Sequence, residues 1–325
     1  LKILVTGSRG FVGSRVVALA GEQGITCVLH GSEHSDAGDD SIIRANLTAT
    51  TDWMSALQGV DAVVHCAARV HQMQDGGDAL ALYRETNVAG TLRLARQAAE
   101  AGVKRFVFVS SIKVNGEVTP PGQPFQPDVA VAPTDPYGLS KYEAEQGLMR
   151  LAQETGIEVV IIRPPLVYGP GVKANFRAMM NWVNKGVPLP LAAVHNQRSL
   201  VFVDNLADLI LLSLRHPQAP GRVWLASDDH DVSTAELLAD IAAALGVKSR
   251  CWPLSPWVLK SAAALLGKSA VAERLLGSLQ VDIRETRQQL GWQPAVPYHQ
   301  AIAITARAFL AKMSGVPESK SKKEG

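Results

Sequence analysis

The chain has 325 residues, 47% hydrophobic and 19% charged, and its lysines and arginines outnumber its acids by two. That length holds a large core, or one nucleotide-binding domain with a smaller lobe, and the near-neutral balance leaves no basic stripe for nucleic acid. Three widely spaced cysteines, Cys27, Cys66 and Cys251, make neither a disulfide framework nor a metal site.

A reducing cytoplasm suits free thiols. No apolar run approaches the roughly 18 residues that span a bilayer, and no signal peptide precedes the first strand, so a cytoplasmic protein is expected. The apolar stretch Trp257–Leu266 has the length of a packed helix, with a lipid-facing role as the less favoured alternative.

The first predicted strand, residues 2–6, runs straight into Thr6-Gly7-Ser8-Arg9-Gly10-Phe11-Val12-Gly13. Strand, glycine turn and first helical turn in that order aim free backbone N–H groups and the positive end of a helix dipole at one point, which suits a pyrophosphate. Gly7 serves the tight turn, Gly10 the close approach of backbone to phosphate, and Gly13 the packing of helix on strand. The spacing is G-x-x-G-x-x-G rather than the commoner G-x-G-x-x-G, and it gains weight from standing at the start of a strand–helix unit.

Further strands are predicted at 26–30, 42–45, 61–66, 104–110 and 157–162, and helices at 11–22, 51–58, 79–101 and 136–155. The strands are short, nearly continuous apolar runs, as expected of parallel strands covered on both faces. The predicted fold class is α/β, a doubly wound parallel sheet with ligand beyond the strands' carboxyl ends. Residues 1–165 are read as the dinucleotide-binding domain.

After about residue 165 the pattern loosens. Helices are predicted at 174–185, 204–215, 233–245, 256–266 and 297–312, and strands near 199–203 and 222–226. Residues 166–312 read mainly as a smaller C-terminal substrate lobe, with about 199–226 re-entering the first domain and 313–325 as a disordered tail. The proline-rich stretch Lys113–Pro133 is too long for an idle connection and is expected to cover the site.

Tyr137 and Lys141 stand four apart at the start of a predicted helix and so share a face. A phenol acts as an acid or base near neutral pH only if its pKa falls from ~10 by about three units, which amounts to about 4 kcal/mol. An ammonium at ~4 Å supplies on that order at an effective dielectric near 20. Ser110-Ser111 closes the strand 104–110 at the edge where ligands bind, and places a hydroxyl for a substrate oxygen. Each feature alone has a bland reading, a surface pair or a turn serine. Their joint occurrence with the glycine loop on one alternating pattern favours a site.

Together these residues resemble the extended short-chain dehydrogenases/reductases, in the group of nucleotide-sugar epimerases, dehydratases and reductases built on a Rossmann sheet. The resemblance covers nearly the whole chain, to about residue 312. It implies a catalytic triad of Ser111, Tyr137 and Lys141. It implies cofactor contacts from Gly7, Arg9, Gly10, Phe11, Val12 and Gly13 in the loop and from Asn46 and Leu47 against adenine. Others fall at Cys66, Ala67 and Ala68 at a strand end, Asn87 in the helix supporting the site, Tyr137, Lys141 and Pro164. Asn175 and Arg198 match positions that hold a substrate's nucleotide and diphosphate, and Arg274 is a further candidate phosphate ligand. Leu166 stands where the family usually has asparagine, so one polar contact is missing.

The second strand ends Leu29-His30-Gly31-Ser32, without the acid that usually meets the ribose hydroxyls. Arg9 could meet a 2′-phosphate, so the expected cofactor is NAD(P)(H) with NADP(H) modestly favoured; the alternative leaves Arg9 in solvent. No Asp-Glu pair follows Ser111, which argues against dehydration. The run Ser110-Ser111-Ile112-Lys113-Val114-Asn115-Gly116-Glu117, Pro164-Pro165 and Ser278–Asp282 favour, slightly, a reductase of a UDP-4-keto-6-deoxy-N-acetylhexosamine, similar to the UDP-N-acetylquinovosamine dehydrogenases of surface polysaccharide (O-antigen) synthesis. The alternative is a UDP-glucose or UDP-N-acetylglucosamine 4-epimerase, and a non-catalytic cofactor-binding module on the same fold is a distant third. The implied partners are a UDP-sugar and a second copy of the chain, paired through the helices at 79–101 and 136–155. No metal is expected, and His71, just past a strand end, is read as a loop histidine.

Overall fold

A computed structural model of the chain describes residues 1–32, 41–70, 79–267 and 269–314, without the side chains of residues 270, 271 and 274. The described strands are β1 (Lys2–Thr6), β2 (Thr26–Gly31), β3 (Ile42–Arg44), β4 (Ala62–His65), β5 (Arg105–Val109), β6 (Glu158–Arg163), β7 (Leu166–Tyr168), β8 (Arg198–Phe202), β9 (Arg222–Leu225) and β10 (Asp231–Val232). Seven of them form one sheet in the order β3-β2-β1-β4-β5-β6-β9, each neighbouring pair parallel. The order reverses at β1, between β2 and β4, and a crevice at such a reversal is where this architecture takes ligands.

The apolar strands bury both faces, and their period of two sorts the side chains. Leu4, Val63, Phe106, Phe108, Val159 and Ile161 join one buried cluster. Ile3, Val5, Val64, Val107, Val109, Val160 and Ile162 join the other. The helices are α1 (Phe11–Glu22), α2 (Ala79–Tyr83), α3 (Thr91–Glu100), α4 (Pro136–Thr155), α5 (Ala174–Asn184), α6 (Val203–Ser213), α7 (Thr234–Leu245), α8 (Pro256–Leu265), α9 (Ser269–Leu276), α10 (Arg284–Leu290) and α11 (Tyr298–Met313). α3 and α4 cover the first face, α1 and α6 the second. Arg15 and Asp204 pin α1 to α6 through two hydrogen bonds of 2.6 and 2.9 Å.

The helix expected at 51–58 is not one. Residues 54–59 are turns; Trp53 N donates to Gln97 Oε1 at 2.5 Å and Met54 N to Asp52 Oδ1 at 3.0 Å. Buried Trp53 and Leu57 produce the apolar signal without the helix. The helix expected at 79–101 is three segments, α2, a π-helical stretch Arg84–Gly90, and α3. Such widened turns recur at functional sites.

β7, β8 and β10 make a separate three-stranded sheet, so the strand expected near 199–203 lies outside the main sheet while Arg222–Leu225 extends it beside β6. α5, α7 and α11 pack with this small sheet around Tyr168, Phe176 and Leu238. Buried Asp228 joins the two parts, accepting from Tyr168 Oη at 2.7 Å, Phe202 N at 2.9 Å and Asn205 Nδ2 at 2.8 Å.

Candidate active site

β1 feeds the glycine loop at the point where the strand order reverses. Gly7 takes φ +66°, and a Cβ there would lie 3.0 Å from the Ala67 backbone, across the crevice at the end of β4. Gly10 N donates to Gly7 O at 2.8 Å. Gly10 also begins α1 without a capping side chain, and no acid stands in the first turn, so the helix's own N–H groups face the loop. A Cβ on Gly13 would overlap the Gly7 carbonyl oxygen. Ser8 fixes the loop to β2, its N and Oγ each donating to His30 O at 3.0 Å. The donor set and the room reserved by absent side chains fit a dinucleotide's pyrophosphate.

The other walls follow. Cys66, Ala67 and Ala68 are half-buried past β4, and burial pushes the Cys66 thiol up to about 12, leaving it neutral. Beneath them Thr6 Oγ1 meets His65 Nδ1 at 2.7 Å and His65 Nε2 meets Thr91 Oγ1 at 2.9 Å. Burial and nearby Lys141 hold that imidazole well below its usual range. Leu47 is buried, and a Cβ on Gly90 would come within 2.7 Å of its carbonyl carbon. Asn46 and Arg9 are exposed, while Phe11 and Val12 are half-buried and pack on the core around Tyr168 and Phe176.

β5 delivers the serines. Successive residues of an extended chain point opposite ways, so Ser110 and Ser111 part company. Ser110 Oγ turns inward to Glu145 Oε1 at 2.5 Å. Ser111 caps the 3-10 turn Ile112–Val114, accepts from Lys113 N at 3.2 Å, and its hydroxyl acts to lower the pKa of the Tyr137 phenol. The start of α4 is seated on that same turn. Asp135 Oδ1 accepts from Gly138 N at 3.0 Å, Pro136 opens the helix, and a Cβ on Gly138 would lie 2.8 Å from Lys113 O.

Lys141, one helical turn beyond Tyr137, is 2% exposed. Its Nζ donates to Val109 O at 3.0 Å and sits 4.5 Å from the centre of the Phe108 ring. Burial lowers its pKa to about 8, against the opposing pull of Glu145. Contrary to the expectation from spacing, this ammonium does not depress the tyrosine. Burial, Asp135 and Tyr83 push the Tyr137 phenol up to about 12, and only Ser111 opposes them. The ammonium is turned toward Val109 and acts on Cys66 and His65 instead.

Beneath the site lies a buried cluster that sequence reasoning missed. Glu145 and Arg163 are 1% and 3% exposed, paired through Nε–Oε1 at 2.9 Å and Nη2–Oε2 at 2.5 Å. Arg163 Nη1 donates also to Asn115 Oδ1 at 3.0 Å and Pro127 O at 2.6 Å. One ion pair thus joins α4, the end of β6, the Ser110 strand end and the loop above. The available signal was a glutamate four residues after Lys141, hence on the same inward face. Pro164, next to Arg163, accepts from Ile112 N at 3.0 Å.

Asn87 is also a support. Its Oδ1 accepts from Arg69 N at 2.8 Å, and its Nδ2 donates to Arg69 O at 3.1 Å and Ser140 Oγ at 3.0 Å. These bonds tie the Arg69 backbone to Ser140 at the start of α4.

The loop over the site is sewn to a late segment. Thr119 N donates to Ser278 O and Phe125 N to Gln280 O, both at 2.8 Å, and Asp282 N returns a bond to Phe125 O at 3.0 Å. Arg198, at the start of β8, donates to Gly277 O at 3.0 Å. Asn175 is exposed in the first turn of α5, and Leu166 is 38% exposed at the start of β7. His71, the side chain of Arg274 and the tail from 315 lie outside the described residues.

The model of the NAD dependent epimerase/dehydratase family matches residues 3–226. The chain belongs to that family. A UDP-glucose 4-epimerase of Vibrio cholerae is 48% identical over 312 residues, 95% of each chain. Among solved structures, a Bacillus cereus UDP-glucuronic acid 4-epimerase in complex with NAD superposes with TM-score 0.76 at 19% identity, covering 96% of this chain and 99% of the other. The Thermus thermophilus UDP-glucose 4-epimerase complex with NAD gives 0.74 at 23% identity, covering 95% and 99%. This member of the epimerase/dehydratase family is an enzyme.

Proposed function

We propose that the chain is a UDP-hexose 4-epimerase with NAD as its resident cofactor. The observation carrying this reading is the 48% identity to a UDP-glucose 4-epimerase along 95% of both chains, and the Ser111–Tyr137 pairing beside the glycine cradle is in keeping with it. The relatives support this alternative better than the one-way keto-sugar reductase favoured by the loop sequence after Ser110. Both comparison structures hold NAD, which supports NAD over the expected preference for its phosphorylated form.

Bound nicotinamide supplies reversible hydride transfer at the sugar C4, and its oxidised form carries a positive charge. The protein supplies the proton chemistry. With its phenol ionised by the positive charge that an oxidised nicotinamide would bring, Tyr137 Oη would take the proton of the C4 hydroxyl and later return it, with Ser111 orienting the oxygen. Lys141 holds the end of β5 through Val109 O and contributes a desolvated positive charge. Arg198 and Asn175 are assigned to the diphosphate and nucleotide of the substrate, and a homodimer through α3 and α4 completes the reading.

The test is purified protein mixed with UDP-glucose and no added nucleotide, followed by identification of the nucleotide released on denaturation. Formation of UDP-galactose with NAD released supports the proposal. Turnover only when reduced cofactor and a 4-keto sugar are supplied overturns it.

A further inference from the structure

Helix α8 is an outlier in this protein, since none of its residues is buried. Trp257 is 75% exposed, Leu265 89% and Leu266, just past the helix end, 72%. Positions 257, 258, 261, 264 and 265 fall on one side of a helix. Trp257, Val258 and Leu265 therefore form one outward apolar stripe, while Leu259 turns in against the lobe core. Trp252, ahead of the helix, is exposed as well. Large apolar side chains grouped this way mark an interaction surface.

The charge around the stripe says what kind. Between Asp240 and Glu273 the sequence contains no acid, but it contains Lys248, Arg250, Lys260 and Lys268. The first three of these are exposed. A tryptophan-bearing apolar stripe flanked in sequence by exposed cations is complementary to an anionic lipid surface, with tryptophan at the headgroup level and lysines among the phosphates. No helix among the described residues is long and apolar enough to cross a membrane, so the contact lies in the plane of the surface.

We propose that α8 and the turn after it dock this enzyme on the anionic surface of a bilayer. The docking element is tied to the body through α9. α8 packs on α9, whose Leu275 carbonyl accepts from Thr234 Oγ1 at 2.8 Å and Asn196 Nδ2 at 3.2 Å. Gly277 O, next along, accepts from Asn196 Nδ2 at 2.8 Å and from Arg198 at 3.0 Å. A helix anchored to the strand that carries Arg198 orients the whole substrate lobe when it docks.

The experiment is flotation of the full chain with phosphatidylglycerol/phosphatidylethanolamine vesicles and, in parallel, with phosphatidylcholine vesicles. The protein should rise with the anionic vesicles and stay down with the neutral ones. It should be released near 1 M salt, where the screening length is about 3 Å. At about five-fold per cation, Lys248→Gln with Arg250→Gln and Lys260→Gln should weaken binding about a hundred-fold. Trp257→Ser with Leu265→Ser and Leu266→Ser should abolish flotation while the circular dichroism melt and sugar turnover in solution stay as in the parent. Failure of the parent to float, or equal flotation of the serine variant, overturns the proposal. So does a concentration-dependent dimer, seen by light scattering and lost in the serine variant without lipid binding, which would make a second copy the occupant.

Discussion

Replacing Lys141 with methionine removes a desolvated ammonium and keeps its apolar stem. Burial takes the group's pKa from its ordinary 10.5 to about 8, which corresponds to roughly 3 kcal/mol of destabilisation of the folded state. The sign follows from the protons. At pH 7 both folded and unfolded chains carry the charge, and the folded chain bears the full desolvation penalty. Between about pH 8 and 10.5 the folded chain has released a proton that the unfolded chain keeps, so the parent gains stability as pH rises, and above that range the penalty is gone. Losing the bond to Val109 O and the contact with Phe108 offsets part of the gain. Lys141→Met should therefore be about 1–3 kcal/mol more stable than the parent at pH 7, with the advantage vanishing by about pH 10.5, while turnover falls at least about a hundred-fold. Urea unfolding of both proteins at the two pH values reads the difference. A variant that is less stable by the same margin at both would refute the account of Lys141 as a strained, functional charge.

Glu145→Gln leaves Arg163 buried without its counter-ion and should cost about 3–5 kcal/mol. In a chain this long that lowers the melting temperature by about 6–10 °C, and joint replacement with Glu145→Leu and Arg163→Met should recover most of it in the same calorimetric scan. The same Glu145→Gln change takes away the charge that raises the Lys141 pKa, so the alkaline limb of the rate profile should move to lower pH. Ser110→Ala and Ser111→Ala should separate: the first strips a bond from buried Glu145 and destabilises by about 1–3 kcal/mol, while the second leaves the melt near the parent's and lowers kcat about ten-fold or more. Gly7→Ala, at φ +66° with Ala67 backbone 3.0 Å from the new Cβ, should yield folded protein that no longer co-purifies with dinucleotide, read from its absorbance ratio after denaturation.

Most of the sheet is legible in the chain because a parallel strand covered on both faces has to be apolar throughout. Ala62–His65 and Arg105–Val109 carry that requirement in their composition. The glycine loop is legible for a related reason: Gly7, Gly10 and Gly13 each stand where a Cβ would strike backbone, so local sterics dictate the residue. The three proposed reactive side chains are likewise readable from spacing, since Tyr137 and Lys141 are one turn apart and Ser111 closes a strand. The segment 51–58 misleads because burial of Trp53 and Leu57 imitates helical periodicity in a run of turns.

What spacing does not contain is where a long flexible side chain points and how dry its surroundings are. Neighbours on one helical face, Tyr137 and Lys141 take different partners, because the phenol meets Ser111 and the ammonium reaches the Val109 carbonyl on the next strand. The Glu145–Arg163 pair, the turning of Ser110 inward and Ser111 outward, and the bonds of Asn87 all depend on segments distant in sequence being brought together. The local pattern thus determined which chemistry was on hand. The packed interior, by withdrawing water from these groups and offering them particular carbonyls and carboxylates, decided their charges and their duties.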